Sequence, residues 1–143
     1  MNELANLLCS ESQKRTTHRS LSEEEIFRLD RDGLIEIGSH TVTHPLLSSL
    51  PIAGQQFEIQ EGKTHLEEIV GHPLTSFAYP YGSKEDYTNE TTTLVQRADF
   101  KCACSNFQDI VCQGTNRFQL PRVLVRDWDG ETFARLLEQW FLG

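Results

Sequence analysis

Apolar positions recur at helical spacing in four stretches, and short unbroken apolar runs lie between them. Ile26 and Leu29 mark the buried stripe of a first helix. Ser22 and Glu25 form a capping box at its start, with Leu21 and Ile26 as a hydrophobic staple, and Gly33 ends it. Leu34 to Ile37 is an apolar run that reads as a strand. A long helix follows from about Ile52 to Val70, its apolar face carried by Ile59, Leu66, Ile69 and Val70. Gly62 sits in its middle at a cost of roughly 1 kcal/mol against Ala, which implies close packing there. Gly71 closes this helix.

Leu74 to Tyr79 reads as a second buried strand. Tyr87, Thr91, Leu94, Val95 and Ala98 then predict a helix over about Glu85 to Ala98. Phe100 to Ser105 and Leu120 to Val125 read as third and fourth strands, separated by a loop or short hairpin. In the last helix Phe133, Leu136, Leu137, Trp140 and Phe141 form an apolar stripe that must pack on something. Helices alternating with strands imply βαβ units with mostly parallel strands, an α/β fold. Leu4, Leu7 and Leu8 give only a weak helical pattern, and Ser10 to Ser20 is polar. Residues 1–20 therefore form a lead-in, and residues 21–143 the domain.

Composition narrows the classes. The 143 residues suffice for one domain with a real core, and 38% are hydrophobic. The net charge of −8, from 13 basic and 21 acidic residues, argues against nucleic acid and anionic membranes as partners. No apolar run approaches the roughly 20 residues needed to span a bilayer. Glu3 stands where an export signal carries basic residues, so a cytoplasmic location is the default expectation. Cys9, Cys102, Cys104 and Cys112 are then free thiols. A structural zinc site on Cys102, Cys104 and Cys112 is the alternative, although no CxxC pair occurs.

The candidate chemistry lies in Gly38-Ser39-His40-Thr41-Val42-Thr43-His44-Pro45, directly after the first strand. Two histidines four apart reach one side if the loop forms a helical turn. Neutral imidazoles so arranged bind zinc or a similar ion, although a catalytic site needs about three protein ligands. The bland reading is that both histidines are solvated or satisfied by the core. The second strand ends in Tyr79-Pro80-Tyr81-Gly82, at the sheet edge where α/β ligand sites form.

Taken together, the Gly38–Pro45 segment, the helix ending Leu66 to Gly71, Phe77-Ala78-Tyr79-Pro80-Tyr81-Gly82 and Leu120-Pro121-Arg122 resemble the polysaccharide deacetylase family. This is the NodB-homology domain, or carbohydrate esterase family 4, and the likeness runs from about Leu21 to Phe141. It implies an incomplete, distorted (β/α) barrel that removes acetyl groups from an N-acetylated sugar polymer. It implies His40 and His44 as ligands of a divalent metal, zinc above all, and the Tyr81 backbone N–H as oxyanion donor. Tyr79, Pro80 and Trp128 would contact substrate, Trp128 being about as suited to a core or rim position. Arg122 would replace the Arg that usually opens the third motif, where Ala78 stands. The family's first motif, an Asp-Asp pair supplying a metal ligand and the general base, has no counterpart, since Asp30 and Asp32 lie at a helix end. Its late His is also missing, as none follows His72. The resemblance thus covers the C-terminal part of such a domain, with impaired activity expected. Uncovered strand edges imply self-association. A non-catalytic carbohydrate-binding or scaffold module that kept the fold is the rival expectation.

Overall fold

A computed structural model describes residues 19–142 of the chain. Helix α1 spans Glu23–Arg31, and its start is set locally. Ser22 Oγ accepts from the Glu25 N–H while Glu25 accepts from the Ser22 N–H, the reciprocal cap that the sequence predicts. A single 3₁₀ turn, Leu47–Ser49, leads into α2, Ile52–Val70. Gly71, at φ 80°, ends α2 in the left-handed conformation. Strand β1 is Ser76–Ala78, α3 is Asn89–Arg97, β2 is Cys102–Cys104 and α4 is Gly130–Leu142.

β1 and β2 pair in parallel, with Ser76 opposite Cys102 and Ala78 opposite Cys104. One parallel bridge extends the arc on each side, Ser39 to Phe77 and Cys104 to Leu120. The order along the arc is therefore Ser39, β1, β2, Leu120. α2 crosses over between the first two and α3 between β1 and β2, as parallel pairing requires. The result is an α/β arc with parallel strands, not a closed barrel.

The core lies between this arc and the helices. Phe77 and Ala103 point from the strands towards Ile59 of α2 and Val95 of α3, with Leu47, Leu74 and Phe100 around them. Tyr79 and Tyr87 stack with ring centroids 3.9 Å apart, and the Tyr79 hydroxyl donates to the Phe118 carbonyl. A buried phenol keeps its bulk apolar and its tip satisfied in this way.

Three sequence expectations change. The strand at Leu34 to Ile37 is absent: Leu34 is 92% exposed, and pairing starts only at Ser39. The strand at Leu120 to Val125 shrinks to the Leu120 bridge. Pro121 has no N–H for a ladder, and Leu124 and Val125 are exposed. α3 begins at Asn89, not Glu85. Thr88 and Thr91 cap it reciprocally, while Asp86 closes a turn onto the Ser83 N–H.

Candidate functional site

His40 follows the bridging residue Ser39 and so sits at the carboxyl end of the arc. Its Nδ1 lies 2.7 Å from the Ala78 carbonyl oxygen. A carbonyl only accepts, so Nδ1 carries the proton and the neutral ring leaves its lone pair on Nε2. The His40 and His44 rings meet edge to face with centroids 4.8 Å apart. The expected helical turn is not how they meet. Thr41 and His44 take left-handed backbone angles, φ 67° and 57°, and the His44 N–H donates to Thr41 Oγ1. Each such residue costs about 1–2 kcal/mol unless its surroundings hold it.

Helix α2 provides the hold. Glu58 Oε2 accepts from the N–H groups of Val42 and Thr43, both at 2.9 Å. Its Oε1 accepts from the Thr43 hydroxyl at 2.6 Å. One turn on, Gly62 lets the helix backbone abut the loop, for a Cβ there would lie 2.9 Å from the Thr41 carbonyl carbon. The packing implied by a mid-helix glycine is thus against the histidine loop. Glu58 itself is 8% exposed. Burial pushes its carboxyl up, but the bonds from Thr43 and Val42 outweigh this and hold it below the usual carboxylate range. Periodicity could not flag Glu58, a polar residue at a buried position. Its spacing of four from Gly62 was the available signal.

The second loop reaches the same place. Tyr81, at φ 60°, turns its ring onto His44 with centroids 4.9 Å apart and stays 59% exposed. Among the described residues nothing accepts a hydrogen bond from the Tyr81 N–H. Gly82, at φ 75°, is needed for the close approach to β2's exit: its carbonyl accepts from the Asn106 N–H, where a Cβ would meet that nitrogen at 2.9 Å.

Other expected site residues go elsewhere. Tyr79 and Pro80 are buried, and the Tyr79 ring and hydroxyl are engaged by Tyr87 and Phe118. Arg122 donates through Nε to the Ser105 carbonyl at 2.7 Å, which anchors it beyond β2. Trp128 packs on Trp140 of α4, centroids 6.1 Å apart. Asp30 accepts from His72, and Asp32 pairs with Arg31 at the surface. Cys102 and Cys104 share one face of β2 while Cys112 is exposed in the next loop. Cys9 lies outside the described residues. Among the described residues no three His, Cys, Asp or Glu side chains gather as a metal-binding group, so the three-thiol zinc site is not formed. The two imidazoles suit a divalent ion in atom type, and the bond to Ala78 leaves Nε2 of His40 free for one. A cavity of about 420 Å³ also opens between the loops after β1 and β2, lined by Lys84, Phe107, Asn116 and Gln119 among others.

A family model described as polysaccharide deacetylase matches residues 9–103. Comparison with curated proteins gives no match. Among solved structures, the Streptococcus pyogenes deacetylase PplD in complex with acetate is similar at TM-score 0.74 and 19% identity, over 84% of this chain and 52% of PplD. BC0361, a polysaccharide deacetylase from Bacillus cereus, gives 0.72 and 23% over 84% of this chain and 37% of its own. IcaB from Ammonifex degensii gives 0.69 and 23% over 87% and 55%. At these identities the structural likeness is one of fold, and the chain spans about half or less of each protein's length. The match over residues 9–103 covers well over half of the chain, from before α1 through β2, and by it the chain belongs to the polysaccharide deacetylase family.

Proposed function

We propose that this chain carries the histidine-motif half of a metal-dependent N-deacetylase acting on an N-acetylated polysaccharide. The observation that carries the reading is the His40–His44 pair. Two rings lie 4.8 Å apart at the carboxyl end of parallel strands, and one has its tautomer fixed with Nε2 free. His40 and His44 would hold a divalent ion, zinc in the first instance. Such an ion, when bound, polarises an amide carbonyl and makes a bound water more acidic. The chain's own part is to orient. The Ala78 carbonyl fixes His40, and Tyr81 covers one side of His44. The free Tyr81 N–H is available to an oxyanion, a contact worth roughly 10²–10³ in rate. No carboxylate stands beside the two rings among the described residues. Turnover of an N-acetylglucosamine oligomer by this chain alone is accordingly expected to be weak, since a general base contributes about 10²–10⁴-fold.

The test is a zinc titration by calorimetry on the wild type and His40→Ala. Saturable binding at defined stoichiometry that His40→Ala abolishes is the expected result. Binding equal in both proteins, or none in either, overturns the metal reading. That no third ligating side chain joins the pair among the described residues favours a second reading, a non-catalytic carbohydrate-binding module. Oligosaccharide binding that ignores both chelator and His40→Ala would decide for it.

A further inference from the structure

We propose that Glu58 is the positioning residue of the histidine pair, acting through the backbone between the two rings. Three features converge on it. It is the one acceptor for both N–H groups and the hydroxyl of Val42-Thr43, the midpoint of the segment from His40 to His44. It is buried, on the helix that Gly62 brings into direct contact with Thr41. The segment it grips contains the left-handed residues Thr41 and His44, a conformation that an unbraced chain of non-glycine residues leaves. A carboxylate suits this place because all three partners donate. An amide keeps most of this arrangement, since its oxygen accepts both N–H groups and its NH₂ donates to Thr43 Oγ1, so the decisive change is removal of the whole head group. Glu58 makes no hydrogen bond to either imidazole, so its effect on them is geometric.

The consequence deepens the metal-site reading and rests on it for affinity, while the ring geometry stands free of it. In the metal-free protein, proton NMR is expected to give a cross-relaxation peak between the His40 and His44 rings, and an Nδ1–H tautomer at His40. Glu58→Ala is expected to abolish the ring–ring peak and average the His40 tautomer, with β1 and β2 resonances unchanged. Glu58→Ala retaining both signals would overturn the proposal. Thr43→Ala removes a single donor from an exposed side chain and serves if Glu58→Ala does not fold. It should weaken the ring–ring peak, and an undiminished peak would count against the proposal. Zinc affinity, measured in parallel, is expected to fall about 10–100-fold in Glu58→Ala, as for residues that orient metal ligands. Failure of the wild type to bind zinc would sink the metal reading alone, because the ring signals decide the role of Glu58 separately.

Discussion

Two histidines, one in the loop packed on α2 and one just after that helix, show how partners set chemistry. Both ring nitrogens of His72 face acceptors: Nε2 meets Asp30 Oδ2 at 2.6 Å and Nδ1 meets the Pro73 carbonyl at 3.1 Å. A ring that donates twice is an imidazolium, and the Asp30 bond, followed by that to Pro73, raises the His72 pKa. His40 has one such acceptor, which leaves Nε2 as a lone-pair donor. The linkage has a definite sign. A folded-state pKa above the unfolded value near 6.5 gives a contribution fully present below about pH 6.5 and lost as pH rises through the folded value. The melting temperature of wild type should therefore exceed that of His72→Gln at about pH 5.5, with the gap closing by about pH 8.5. A gap that does not change with pH would refute the assignment. One residue goes unexplained: among the described residues the buried Ser39 hydroxyl has no hydrogen-bond partner.

Among the elements, α2 does two jobs with one buried stripe. Ile59 and Val70 enter the core, while Glu58 and Gly62 meet the histidine loop. Gln55 donates to the Leu50 carbonyl and accepts from Thr91 of α3, so the helix is tied to both neighbours by polar contacts. This is why its apolar periodicity is weaker than its burial. A mid-helix glycine changed to alanine ordinarily gains about 1 kcal/mol. Here the new methyl would strike the Thr41 backbone. Gly62→Ala is expected to lose about 1–3 kcal/mol in urea denaturation, the usual cost of overpacking, and to weaken zinc binding. A stabilised Gly62→Ala would mean that the loop yields freely. The glycine itself was legible in the sequence as a mark of close packing. Its partner was not, because the residue that meets a helix face is decided by the path of a distant loop.

At the scale of the molecule, apolar side chains are exposed on the α1 side among the described residues. Leu21, Leu29, Leu34 and Ile35 line a hollow of about 460 Å³, with Glu25, Arg28 and Asp32 at its rim. Isolated exposed apolar residues need no explanation, but a contiguous set does. Self-association through this face is therefore proposed. Light scattering at micromolar protein should return a mass above that of one chain, and Leu34→Lys should restore the single-chain value. A wild-type mass of one chain would end the idea.

Some features were fixed by local physics and could be read directly. The Ser22–Glu25 cap, the αL stop at Gly71 and the periodicity of α2 need only neighbours a few residues away. The alternation of helix and strand, with its parallel pairing, follows from the same short-range pattern. The sequence also carried the His40–His44 spacing and the Tyr-Pro-Tyr-Gly segment, enough to reach the family. Strand ends were misjudged at Leu34 and Val125 because a strand exists only where a second strand supplies its hydrogen bonds. The burial of Tyr79 and Pro80 was not legible, because tertiary packing, not residue type, decides whether a ring meets solvent. The left-handed turn that joins the two imidazoles, the tautomer set by Ala78 and the brace from Glu58 came from tertiary structure alone. Each depends on groups some 15 to 38 residues apart in the chain, where no local propensity reaches.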